Sequence, residues 1–300
     1  MSSTTLGPAA AVELPDVLPA RKQRGKIAMF AYRHPSIFVG GLLVSLVVAS
    51  AVFAPWLGTA DPTALAPAKR LRWPDELYWF GTDMLGRDIY SRVLYGTRVS
   101  LQVGVMVALF ASVIGMFIGL TSGFIRVLDT VVMRVMDGLM SIPGILLAIA
   151  LMALTRGSVG NVIIAITITE IPRVARLVRG VVLSLREQPY VEAAVAAGTR
   201  VPKIIWKHIL PNTLAPITVQ ATFICASAMI TEATLSFIGA GTPPTIPSWG
   251  NIMAEGRALW QVKPFIVLFP AIFLSVTVLS INLLGDGLRD ALDPRMAKKI

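Results

Sequence analysis

The sequence predicts an all-α, polytopic membrane protein with about six transmembrane helices. Three observations carry this. Hydrophobic residues make up 55% of the 300-residue chain and charged residues only 15%. A soluble domain carries about 25% charged residues, so this chain could not cover a water-facing surface. The apolar residues also gather into stretches of about 20, the length needed to cross a bilayer. Nowhere does a period-two alternation announce a soluble type of sheet. Six such spans use about 120 positions, which leaves loops and tails but hardly a separate soluble domain.

Residues 1–20 mix small residues, Pro and two acids without periodicity and read as a disordered cytoplasmic tail. Segment 21–57 opens with the basic cluster Arg21, Lys22, Arg24, Lys26 and Arg33 and continues into the first span, Ser36–Leu57. That span starts too late and runs too long for a signal peptide, so it reads as retained. Segment 58–98 is polar and reads as extracytoplasmic. It holds Pro62, Pro67 and Pro74 with Trp73, Tyr78, Trp79 and Phe80, aromatics of the kind found at a membrane–water boundary. Residues 99–290 form the core transmembrane domain. Its spans are Val99–Gly123, Met133–Leu154 with a bend at Pro143, Val159–Val178 interrupted by Glu170, Pro172 and Arg173, Leu214–Gly239, and Phe265–Leu284. Residues 291–300 form a second cytoplasmic tail.

Lys and Arg counted in alternate loops set the orientation. One side holds 18, including the amino-terminal cluster, seven from Arg173 to Lys207, and Arg289, Arg295, Lys298 and Lys299. The other holds 9, six of them in segment 58–98 beside Asp61, Asp75, Glu76, Asp83 and Asp88. Both termini are therefore expected in the cytoplasm. The net charge of +10 is read as membrane orientation and contact with lipid, not as a nucleic-acid footprint.

Leu185–Asn212, LREQPYVEAAVAAGTRVPKIIWKHILPN, is the cytoplasmic loop 185–212 between the fourth and fifth spans. Pro189 can start a helix, the run from Glu192 has high propensity, and Gly198 stops it. After Pro202, Lys203–Leu210 forms a second short helix ended by Pro211. Two short helices bent at a glycine make a protruding knob whose small side chains a partner's groove can approach closely. A merely solvated helical loop is the plainer reading of Glu-Ala-Ala alone.

The wider spacing adds to this. Glu192-Ala193-Ala194, three residues, Gly198, and then Leu210-Pro211 resembles the signature loop of the ABC-importer permeases. His208 stands where that family has Ile, which is similar to the variant His-x-Leu-Pro-Asn of its peptide and nickel branch. Phe80-Gly-Thr-Asp-Met-Leu-Gly-Arg-Asp88 with Ser91-Arg92, Arg134 with Asp137 and Ile142-Pro143, Glu232-Ala-Thr-Leu-Ser-Phe237, Pro247-Ser-Trp-Gly-Asn251, and Asn282 to Asp290 with Asp293-Pro294 all resemble the C-type subunit of that branch. The likeness covers most of residues 30–290.

The resemblance implies a type I ABC-importer permease fold in the bacterial plasma membrane. Its implied partners are a second, B-type permease subunit, two ATP-binding ABC subunits, and an extracytoplasmic substrate-binding lipoprotein or periplasmic protein. Glu192, Ala193, Ala194, Gly198, Leu210 and Pro211 would then form the coupling loop seated in an ATPase groove. No cofactor is expected on this chain; ATP and Mg would belong to the partner ATPases, since the chain lacks a G-x-x-x-x-G-K-[ST] phosphate loop.

Glu232, deep in the fifth span, needs a partner or a watery path. It reads either as a path or gate group or as a packing acid bonded to Ser, Thr or backbone. Pro247 and Trp249 lie in a loop that would contact the binding protein, plug the outer mouth or cap the membrane surface. Arg173, Arg176 and Arg179 recur every third residue, but so short a repeat reads as contact with headgroups or the ATPase rather than as a voltage sensor. His34, His208 and Cys225 form no ligand-spaced cluster, so no metal site is expected. Di- or oligopeptides are the leading cargo. Nickel or another small solute moved by the same machine, a proton-coupled secondary transporter and a voltage-gated channel are the alternatives.

Overall fold

The structure, a computed structural model, describes residues 34–292. The tail at 1–20, the cluster Arg21 to Arg33, Asp293-Pro294 and the bases Arg295, Lys298 and Lys299 lie outside the described residues. Within them the chain is helical, with one isolated bridge between Thr82 and Asp88 and no named strand.

Helix α1, Pro35–Val52, opens with Pro in its first turn, where a missing N–H costs nothing. It lies against α10, Phe265–Leu292, backbone to backbone. A Cβ on Gly40 would fall 2.6 Å from the Leu284 nitrogen, and one on Gly287 would fall 2.7 Å from the Ile37 nitrogen. The other face of α1, with Phe38, Leu42 and Leu46, is exposed and apolar apart from Ser45, whose hydroxyl donates to the Gly41 carbonyl at 2.7 Å. At its far end Arg98 donates from Nε to the Ala51 carbonyl at 2.6 Å and from Nη2 to that of Val52 at 3.2 Å, satisfying oxygens that a helix end leaves free.

Helix α2, Ile89–Phe124, begins where Asp88 Oδ2 accepts from the Ser91 amide at 2.9 Å. Its 36 residues rise about 54 Å, well beyond a hydrocarbon core of about 30 Å, so it must project from the membrane. It runs parallel to α5, Val159–Arg186, along one glycine–valine seam. Gly115, Gly119 and Gly123 face Val174, Val178 and Val182, and an added Cβ would come within 2.6, 2.6 and 2.8 Å of the respective Val Cβ atoms. Small residues four apart let two backbones approach where lipid offers no hydrophobic drive.

Between them, α3, Arg126–Met140, and α4, Gly144–Ala153, meet at a bend of 88°. The bend falls at Ser141–Pro143, where Pro143 has no N–H for the ladder. The pair runs antiparallel to α5. Asp129 pairs with Arg179 near one end, and at the other a Cβ on Gly157, just past α4, would fall 3.5 Å from the Gly241 carbonyl oxygen.

The expected interruption of the fourth span does not occur. Helix α5 runs unbroken through Glu170, Pro172 and Arg173, and the seam with α2 holds it from the Ile171 carbonyl to Val182. By length and apolar composition, α1, α2, the stretch Val201–Phe237 and α10 qualify as membrane spans, with the bent α3–α4 pair a fifth. Helix α5 has the length, but its polar and charged residues keep it below that measure.

The short α6, Pro189–Ala196, and α7, Val201–Ile204, precede α8, Leu210–Phe237. Pro211 does not end a helix as expected. It sits in the first turn of α8, and the five residues before it, Ile205–Ile209, open into a π turn in which the Leu210 amide reaches back to the Ile205 carbonyl. That wider turn absorbs the crowding a proline imposes on the turn before it. Helix α9, Trp249–Gly256, is a short wedge between α2, α8 and α10.

Candidate functional site

Three polar constructions stand out in this apolar bundle, and the first is the loop from Gln188 to Pro211. Its geometry follows from its residues. Helix α6 starts on Pro189 and carries Glu192 in its first turn, where the helix dipole favours an anion. It ends on Gly198, whose φ is +73°. The Gly198 amide reaches the Val195 carbonyl at 2.9 Å and the Thr199 amide that of Ala194 at 3.1 Å, which is a Schellman closure. A Cβ on Gly198 would meet nothing within 4 Å, so the glycine is there for its backbone angle.

Val191, Ile204 and Ile209 are buried and root the knob in the bundle, while Glu192, Ala193, Gly198 and Pro211 are exposed. Ala194 and Leu210 are half-buried and pack on the core. Tyr190 and His208 close the base, with ring centroids 6.2 Å apart. Trp206, 74% exposed beside Lys203 and Lys207, completes the outward face. Sequence reasoning passed over Trp206, although a Trp in a basic loop is itself a signal of a protein contact.

The second construction is a ladder on α5. Arg173 donates to Glu170 at 3.0 Å, Arg176 to Asp137 at 2.5 Å, and Arg179 holds Asp129 through both oxygens. These arginines were expected at lipid headgroups or an ATPase. Within the chain they bind carboxylates, two of them on α3, an antiparallel neighbour that offers acids at matching heights.

The third lies at the opposite end of the bundle and pins α9 twice. Asp83 is wholly buried, and its Oδ2 accepts from Arg87 Nε and from Arg92 Nη1, each at 2.6 Å. Glu255 Oε2 accepts from Arg87 Nη2 at 2.6 Å and from Arg92 Nη1 at 2.5 Å. Two arginines and two acids thus balance in a quartet that is buried but for Glu255, whose side chain is partly exposed. At the other end of α9, Ser248 accepts from the Asn251 amide at 3.2 Å, and Asn251 Nδ2 donates to Thr242 Oγ1 at 2.9 Å. Thr242's amide donates to Ser236 Oγ at 3.2 Å, and that hydroxyl donates to Glu232 Oε1 at 2.8 Å.

Glu232 is 0% exposed, inside this network rather than on a surface. Trp249 is also 0% exposed, and its Nε1 donates to the Val93 carbonyl at 3.1 Å. The contact with a binding protein expected of Trp249 is therefore corrected: the ring is committed to the core, and only Pro247, half-buried, retains surface.

Comparison with known proteins places this geometry. Over 279 residues, 93% of this chain and 96% of the relative, it is 50% identical to a probable peptide ABC transporter permease protein of Sinorhizobium fredii. It is 43% identical over 259 residues to a dipeptide transport system permease protein of Alkalihalophilus pseudofirmus, covering 86% of this chain and 85% of the other. A glutathione transport system permease protein of Pectobacterium atrosepticum is 40% identical over 269 residues, 89% of each chain. Among solved structures, an inward-facing form of the MetNI methionine ABC transporter superposes with a TM-score of 0.54 at 21% identity, covering 67% of this chain and 96% of that one. That likeness speaks for the fold. Residues 111–298 match the family described as binding-protein-dependent transport system inner membrane component, and the chain belongs to that family.

Proposed function

We propose that this chain is one of two permease subunits of an ATP-driven importer of di- or oligopeptides in the bacterial plasma membrane. The observation that carries this reading is the knob at Gln188–Pro211: an exposed Glu-Ala-Ala turn, closed by Gly198 and rooted by Val191, Ile204 and Ile209. Small side chains let a partner's groove come close, and the free carboxylate of Glu192 offers a charge-assisted bond to a basic group. ATP and Mg are bound and turned over by two partner ATPases gripping this knob, and an extracytoplasmic binding protein delivers the cargo. The peptide cargo rests on the names of the relatives at 50% and 43% identity.

Six crossings place both ends of the described chain on the side of the knob. The bent α3–α4 pair is the fifth of these, and α5 supplies the sixth, which hydropathy alone does not. In support, Ile37 near the start of α1 touches Gly287 near the end of α10, and α5 and α8 reach that same end through Arg186 and Leu210. Pulling on the knob tilts α5 and α8, since packed helices move between discrete arrangements rather than bend continuously. The buried Glu232 serves this motion as a fixed pin of the outer end, not as a group that meets cargo.

Reconstitution tests the reading. The complete assembly in vesicles should take up a labelled dipeptide when ATP is supplied, and uptake should persist when the proton gradient is collapsed. This chain alone should show no ATP turnover. Glu192→Ala with Ala193→Glu should abolish uptake while the chain still co-purifies with its permease partner. ATP hydrolysis by the isolated chain, or uptake that follows the proton gradient, would overturn it.

A further inference from the structure

The segment between α1 and α2 carries four bases, Lys69, Arg70, Arg72 and Arg87, against five acids, Asp61, Asp75, Glu76, Asp83 and Asp88, on a side where a positive-inside protein should be poor in Lys and Arg. The structure divides its charges into two groups. The acids mostly turn to local work. Asp83 lies in the quartet, and Asp88 caps α2. Asp75 Oδ1 accepts from the Leu77 and Tyr78 amides at 2.9 and 2.6 Å, and Asp61 Oδ1 takes the Thr63 amide and hydroxyl at 2.8 and 2.6 Å. Lys69, Arg70 and Arg72 are exposed, and no carboxylate among the described residues comes within ion-pairing distance of them or of Lys263.

These four cations are held together on a stiff frame. Thr82 Oγ1 donates to the Lys69 carbonyl at 2.5 Å and accepts from the Arg72 amide at 2.9 Å. Lys263 Nζ stands 4.4 Å from the centre of the Trp73 ring, and Lys69 Nζ stands 5.6 Å from that of Tyr78. Leu71, between the two arginines, has φ +55°, and among the described residues it is the one non-glycine in the left-handed region. Its amide bond to the Asp83 carbonyl, 3.1 Å, ties that conformation to the quartet. A strained residue kept by its surroundings marks a place where the backbone serves something other than stability.

We propose that Lys69, Arg70, Arg72 and Lys263, with the half-exposed Trp73, form the surface on which an acidic patch of the extracytoplasmic binding protein docks. This rests on the importer reading above. Exposed arginine and tryptophan on a rigid frame are the composition of protein interface anchors. An ammonium over the Trp73 ring keeps that ring in water and ready for a carboxylate-bearing partner, rather than sunk among acyl chains. The charges steer encounter and orient the closed binding protein over the outer mouth.

The test uses the assembled transporter in nanodiscs of phosphatidylcholine, with and without 30% phosphatidylglycerol as probe lipid, and the binding protein that co-purifies with it. In phosphatidylcholine at low salt, K69E/R70E/R72E should weaken association at least about tenfold, and the difference should shrink at high salt. A soluble hexaglutamate peptide should compete with wild type and not with the variant. Basal ATP hydrolysis should stay at the wild-type rate, which shows that the variant is assembled. Should the triple variant fail to assemble, Arg70→Gln alone should lower the association rate and Glu76→Lys should raise it. Equal affinity of wild type and variant overturns the proposal. So does a variant whose only change is loss of bound phosphatidylglycerol, for the membrane is then the occupant. If wild type itself associates with no binding protein, it is the importer reading that fails.

Discussion

Arg92 and Glu255 stand 163 residues apart in the chain and meet through two hydrogen bonds, Nη1 to Oε2 at 2.5 Å and Nη2 to Oε1 at 3.0 Å. The fork of a guanidinium fits a carboxylate in this paired manner. Arg92 is 1% exposed, so its charge depends on this acid and on Asp83.

Removing one member therefore strands buried charge. Glu255→Ala should cost about 3–5 kcal/mol, far more than the mean surface substitution. Thermal unfolding of the purified complex should show a clear fall in midpoint, while the exposed Glu76→Ala should leave it unmoved. Equal midpoints for the two variants would mean that the quartet is not holding α9.

The glycine seam makes a sharper steric prediction. Gly119→Val should separate α2 from α5, since a Cβ there meets the Ala175 carbonyl and Val178 Cβ at 2.6 Å each. A cost of about 2–3 kcal/mol and loss of assembled transporter are expected. Gly138→Ala, with nothing within 4 Å, is the control and should assemble at the wild-type level.

In the knob, shape and chemistry come apart. Gly198→Ala should destabilise the closure of α6 by about 1 kcal/mol, because an L-residue is held at φ +73° with no clash to blame. Glu192→Ala should leave the unfolding midpoint within about 0.5 kcal/mol of wild type, being exposed, yet reduce dipeptide uptake. Uptake at the wild-type rate by Glu192→Ala would remove that carboxylate from the coupling contact.

Glu232→Gln retains an acceptor for Ser236 and preserves volume. Dipeptide uptake by the reconstituted assembly should keep its rate and apparent affinity within about twofold, whereas Glu232→Leu should lower the unfolding midpoint by leaving the Ser236–Thr242 hydroxyls without their acceptor. A tenfold change in apparent affinity from the Gln variant would return Glu232 to the translocation path.

What the sequence makes legible here is whatever is written locally. Apolar stretches reveal most of the long helices, Pro143 marks the bend, and Gly198 marks the end of α6, because each depends on a few neighbouring residues. Glu255 is not legible, since its partners come from a segment 163 residues earlier and an acid near an apolar run has no local signature. The arginines at 173, 176 and 179 show the same limit, because their spacing is visible but the acids opposite them on α3 are not. Pro211 misleads for another reason: a proline ends a helix or begins one, and the π turn that permits the second is a backbone response without a composition of its own. The seam of Gly115, Gly119 and Gly123 was readable in principle, as the four-residue spacing of small residues in an apolar helix is a packing signal.

The π turn at Ile205–Ile209 has a geometric consequence for everything after it. Such a turn holds one residue more than an α turn, and each residue of a helix accounts for about 100° of rotation. Deleting a single residue there would swivel the remainder of α8 by about a quarter revolution or slightly more. Ile224, Ala228 and Glu232 would leave the interior, and the exposed side bearing Thr218 would be carried toward it. One inserted position thus acts as the phase setting for twenty-eight residues downstream.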